Sequence, residues 1–161
     1  MISGERACLK LAEALLYRAD AQKKIAQLKQ RLERVIKVQE GELPSEDPAV
    51  LLEELKQSTI DMTLWIQRVN RTNALTAYND RLTLSDALIE RDRMMLYRNA
   101  LVTVLEQASI MHDRYSRTEV RFERTIDVKE IQKEIDALSK SYREWDIRIQ
   151  ELNWTVDLIM E

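Results

Sequence analysis

From Ala49 to Glu161 the chain runs for 113 residues without glycine or proline; its two glycines and two prolines all precede position 49. These two residue types most disfavour helix interiors and most often mark sharp turns. A tract this long with neither predicts a mainly α fold. Its closing stretch shows what kind of helices these are. Ile131, Ile135, Leu138, Tyr142, Trp145, Ile149, Leu152, Val156 and Ile159 recur at 3-4 spacing, the pattern of a coiled-coil seam. A helix from Val128 to the C-terminus would be roughly 50 Å long, whereas a compact globule of this chain length is about 40 Å across. The fold expected is therefore an elongated antiparallel helical bundle or coiled coil, forming one domain over residues 1–161.

The turn signals divide the chain into four helices, at about 4–38, 48–76, 85–109 and 128–160. Ser3 is placed to cap the first, whose stripe Leu9, Ala12, Leu16, Ala19 gives way near Asp20 to Ile25, Leu28, Leu32, Val35. That change of phase predicts a bend or a change of partner. Gly41 and Pro44 mark the first connection, and Asp47-Pro48 is a capping residue followed by proline at the first helical position. The second helix carries Leu52, Leu55, Thr59, Met62, Ile66, Val69 and Asn73 on one stripe. Tyr78 to Arg81 reads as a turn, and Asp127-x-x-Glu130 as the start of the last helix. Short strands are expected at about 81–84 and 118–126, the second because Val120 to Ile126 alternates apolar and polar. They would form a small β-ribbon near the connection between helices 3 and 4.

Charge is segregated along the chain. Arg6 to Lys37 carries nine basic and three acidic residues, Gln39 to Asp61 one basic and seven acidic, and Asp127 to Glu161 five basic and nine acidic. Segments of opposite sign most simply pair as antiparallel neighbours or across an oligomer interface. Nucleic acid is disfavoured as a partner, because Arg114, Arg117, Arg121 and Arg124 are interleaved with Asp113, Glu119 and Glu123. There is no continuous apolar segment of membrane-spanning length and no secretory leader in Met1 to Tyr17. A cytoplasmic protein without a membrane partner is expected. The single Cys8 excludes an intrachain disulfide and is expected on the first helix.

No reaction is specified. The only histidine, His112, lacks the Glu-x-x-His spacing of di-iron bundles, and the zinc, phosphate-loop and nucleophile-elbow motifs are absent. No cofactor, metal or catalytic residue is assigned, and the balance leans against an enzyme. Two polar features stand out. Arg91 and Arg98 lie seven residues apart on the third helix's apolar stripe, where they would pair with carboxylates such as Asp146 or Glu144, or line an anion pocket. Asn70, Arg71, Asn73, Arg91, Asp92, Asp113, Arg114, Tyr115 and Arg117 lie near element ends and form a candidate polar pocket for a small anion or metabolite. The stronger expectation is a homo-oligomer whose seam is Ile131, Ile135, Leu138, Tyr142, Trp145, Ile149, Leu152 and Val156. Trp154 adds a second stripe there with Ile147 and Leu158.

Several stretches together carry a family likeness: Lys10 to Leu15, Val38 to Glu42, Asn70 to Asn73, Leu82 to Leu88 with Arg91-Asp92, Asp113 to Arg117 with Phe122, and Gln150 to Thr155. In these the chain resembles the septicolysin-like family of small bacterial helical proteins, whose members have no established biochemical function. The family name implies a cytolysin, for which these residues show neither a leader nor a lipid-facing apolar segment.

Overall fold

The computed structural model describes residues 8–109 and 124–161. It contains four helices, α1 Leu11–Val35, α2 Pro48–Leu75, α3 Leu84–Ser109 and α4 Val128–Thr155. The chain divides into two compact units, the first comprising residues 1–85 and 151–161 and the second residues 86–150.

In the first unit α1 and α2 pack as a hairpin. Leu28, Leu32 and Val35 of α1 bury against Leu51 of α2, with Leu55 at the margin. The connection is fixed by local chemistry. Glu42 N–H donates to Gln39 O at 3.0 Å, and Gly41, third in that turn, has φ +88°, the left-handed conformation a type II turn requires there. Arg31 grips Glu46 through Nε and Nη2, so one basic-to-acidic pairing expected from the charge blocks forms within the unit. Asp47 caps α2 by accepting from Ala49 N–H at 2.8 Å, with Pro48 behind it. The buried stripe of α2 runs through Leu51, Ser58, Val69 and Thr72. Val69 is buried as expected and Leu55, Met62 and Ile66 are half-buried, but Leu51, Ser58 and Thr72 take the places expected of Leu52, Thr59 and Asn73, of which Leu52 and Thr59 face outward.

Two ends of helices differ from expectation. Cys8 is exposed and non-helical, and α1 starts at Leu11 because Lys10 is extended and its N–H is taken by the Glu13 carboxylate at 2.8 Å. Ser3, the expected cap, lies outside the described residues. At the other end α4 stops at Thr155 rather than near 160. The tail beyond it pairs with the segment before α1: Leu11 N–H donates to Val156 O (3.0 Å) and Leu158 N–H to Leu9 O (2.7 Å). Lys10 Nζ donates to Thr155 O and to Asp157 (3.1 and 2.6 Å), satisfying a carbonyl that the end of α4 leaves open. Tertiary pairing thus wins over helix continuation for a tail whose local sequence would have allowed either.

The β-ribbon is not found among the described residues. Residues 81–84 contribute one isolated bridge, Ala77 with Thr83, which closes a turn held by Asn79 Oδ1 accepting from Arg81 and Leu82 N–H. Leu84 already begins α3. Residues 118–123 lie outside the described residues, and 124–126 form no strand. In the second unit α4 starts as expected, Asp127 accepting from Lys129 and Glu130 N–H. Three side-chain bonds join it antiparallel to α3.

Candidate functional site

Those bonds make the most developed polar arrangement among the described residues. Arg91 Nη1 donates to Asp146 at 2.8 Å, and its Nε and Nη2 donate to Asp92 at 3.2 and 3.0 Å. The guanidinium also lies 5.9 Å from the Tyr142 ring centroid. One heptad further along α3, Arg98 Nε donates to Ser139 Oγ at 2.8 Å and its Nη1 to Asn99. Ser139 Oγ in turn donates to Ile135 O. Positions 91 and 98 therefore meet positions 146 and 139, both pairs seven apart. This is the register of an antiparallel coiled-coil seam with polar rungs. Tyr97 OH donates to Glu134 at 2.9 Å, and that bond raises the phenol's pKa.

The chemistry of this ladder is that of a joint. The Arg91 side chain is only 21% exposed. Burial disfavours its charge, but the bonds to Asp146 and Asp92 outweigh burial and hold its pKa above the ordinary arginine value. Two carboxylates against one guanidinium leave the immediate surroundings acidic. An anion arriving there would have to displace a carboxylate from a charge-assisted bond, which costs more than an exposed arginine would demand. The pairing of Arg91 with Asp146 is one of the two readings its place on an apolar stripe allowed.

The other candidates are dispersed. Asn70 and Arg71 are exposed on α2 and Asn73 is half-buried, all within the first unit, whereas Arg91 and Asp92 belong to the second. Asp113, Arg114, Tyr115 and Arg117 lie outside the described residues. Thr72, between the two asparagines, was not singled out by the sequence. It is fully buried, donates to Arg68 O at 2.8 Å and accepts from Ile159 N–H at 3.0 Å. Nearby, Tyr17 stacks on Trp65 at 5.1 Å and Arg68 covers the same indole at 5.3 Å. The stack joins α1 to α2, whereas the Arg68 contact lies within α2 at a spacing of three residues. Among the described residues no group of three or more His, Cys, Asp and Glu is arranged to hold a metal.

The seam expected to join copies is buried in part within the chain. Ile149 is 1% exposed and Ile135 and Leu152 are buried, while Ile131, Leu138, Tyr142, Trp145 and Val156 are half-buried. Trp154 is exposed.

Four described helices, two of them joined by polar rungs, define a structural class without prescribing a reaction. Within that class the chain belongs to the family of unknown function DUF6847, whose model matches residues 18–158. A crystal structure of a functionally unknown conserved protein from Corynebacterium diphtheriae is similar, with 40% identity and a TM-score of 0.87 over 94% of this chain and 99% of that one. No curated protein matches. These findings support the coarser part of the septicolysin-like resemblance, a helical family without an assigned function, and do not extend to its name.

Proposed function

We propose that this is a non-enzymatic cytoplasmic protein that self-associates through helical seams. The observation supporting this reading is the burden of large apolar side chains left outside: Leu96 is 73% exposed, Ile147 69% and Ile89 67%, with Leu52, Ile60 and Trp154 also outward. Scattered apolar residues are ordinary on a surface, but repeated ones on one helix face call for a partner. A native mass spectrum of the protein as purified tests the reading. Multiples of the subunit mass with nothing added agree with it; a monomer at all concentrations contradicts it.

The second reading is a polar pocket for a small anion or metabolite, supported by Arg71 standing exposed beside Asn70 on α2. It predicts extra mass in the same spectrum, lost in Arg71→Met while the fold is kept. The third, a septicolysin-type cytolysin, predicts dye release from lipid vesicles. No described helix is long and apolar enough to cross a membrane, and the expected release is nil.

A further inference from the structure

α3 spreads its apolar residues around its circumference, and α2 too carries exposed ones at Val50, Leu52, Ile60 and Leu64. Leu84, Ala87 and Met94 are buried, and Leu88, Met95, Leu101, Val102 and Leu105 are half-buried. The other side carries Ile89, Leu96, Ala100 and Val104, all exposed. With Arg93 these give the spacing 89, 93, 96, 100, 104, a second seam along a helix already packed on its first. Helices apolar on two sides are normally enclosed on both.

We infer that this outer face of α3 docks against the same face of a second copy, with the two α3 helices antiparallel about a two-fold axis near position 98; this rests on the self-association reading above. The face is self-complementary, as a two-fold contact requires. An axis at 98 sets Leu96 opposite Ala100 of the other copy, large against small, so the backbones approach closely. Charge selects the direction. Arg93, whose side chain is 57% exposed, would meet its own copy in a parallel in-register pair. In the antiparallel pair Arg93, which keeps its bond to Glu90 on its own helix, lies opposite Thr103 in the half from Asn99 to Ser109, which has no basic residue. Antiparallel helix dipoles add to the preference. A single 26-residue helix face, about 40 Å by 10 Å, supplies roughly 400 Å² per copy. That is below the approximately 800 Å² of a standard stable interface, so the dimer is concentration-dependent.

Sedimentation velocity over a wide concentration range, on wild type, Leu96→Glu, Ile89→Glu and Ile147→Glu, tests the proposal. Wild type shifts from monomer to dimer. Leu96→Glu, counted twice in a symmetric contact, weakens dimerisation by roughly a hundredfold or more, Ile89→Glu weakens it less, and Ile147→Glu leaves it unchanged. Leu96→Ser, with circular dichroism, separates lost contact from lost fold. In a Cys8→Ser background, Ala100→Cys crosslinks to itself with a short bismaleimide, since an axis at 98 sets the two sites about 11 Å apart. Ile89→Cys does not, its two copies lying roughly 27 Å apart along the axis. A monomer at every concentration overturns this proposal together with the self-association reading. An oligomer indifferent to Leu96→Glu and Ile89→Glu overturns the α3 face alone, and crosslinking at both cysteines overturns the antiparallel direction.

Discussion

Helices α3 and α4 are partners of nearly equal length, yet they distribute their apolar residues in opposite ways. α4 gathers most of them on one stripe, where Ile135 and Ile149 are buried, and leaves Ile147 and Trp154 on its outer side, the former among Lys140, Arg143, Glu144 and Glu151. α3 carries apolar residues inside and out. If copies meet through α3 as inferred above, the helix with the clearer coiled-coil pattern is not the one that meets another chain. A clean one-sided stripe records an interface already satisfied, and the blurred pattern of α3 records a helix with two faces to cover. Strength of periodicity and demand for a partner are different quantities, and on that inference they fall on different helices.

The largest effect expected from challenging this contrast is on α4. Ile149→Ala should destabilise the fold by about 2–5 kcal/mol, the range for emptying a core isoleucine site, whereas Ile147→Ala, two residues earlier, should stay within roughly 0.5 kcal/mol. Urea melts of the two variants check it; equal losses would mean that the outer face of α4 is as engaged as the inner one. Next comes the polar rung that joins the helices. Asp146→Ala leaves Arg91 with Asp92 alone and should cost about 1–3 kcal/mol, the scale of a lost hydrogen bond to a charged group. Adding Arg91→Met to Asp146→Ala should recover much of that loss, because an apolar side chain suits the seam better than a half-paired guanidinium. A double-mutant cycle without coupling would sever the rung from the fold's stability.

The smallest effect is one of pH. The bond from Arg93 depresses the Glu90 pKa on α3, and the bond from Arg31 depresses that of Glu46 in the α1–α2 connection. A carboxylate whose folded pKa is depressed contributes stability that is present above its unfolded value and is lost as pH falls through the folded one. Both contributions should therefore fade only below the ordinary glutamate range. Both pairs are substantially solvent-exposed and screened, so the slope is shallow. Thermal melts from neutral pH down to the acid limb, compared with Glu46→Gln and Glu90→Gln, read it out. A loss that is complete above that range would contradict the assignment.

Much of this arrangement was legible in the residues. The Asp47-Pro48 and Asp127-x-x-Glu130 starts are local chemistry, and both helices begin there. The Arg91–Asp146 pair was legible because a charge on an apolar stripe needs an opposite charge on the stripe it meets. What stayed hidden depends on contacts distant in sequence. Lys10 holds the Thr155 carbonyl across 145 positions, so the stop of α4 has no local mark. Thr72 looked ordinary beside Asn73 because a step of three or of four residues beyond Val69 decides which of them is buried. The candidate pocket drew on the ends of several elements; of its nine residues, Arg91 and Asp92 meet directly, and Arg91's charge is already met by carboxylates.

The most direct test of the contrast between α3 and α4 is carbene footprinting of side chains as protein concentration rises, read residue by residue by mass spectrometry. Labelling at Ile89 and Leu96 should fall while labelling at Ile147 holds. Loss at Ile147 with Leu96 unchanged would contradict the account and return the contact between copies to α4.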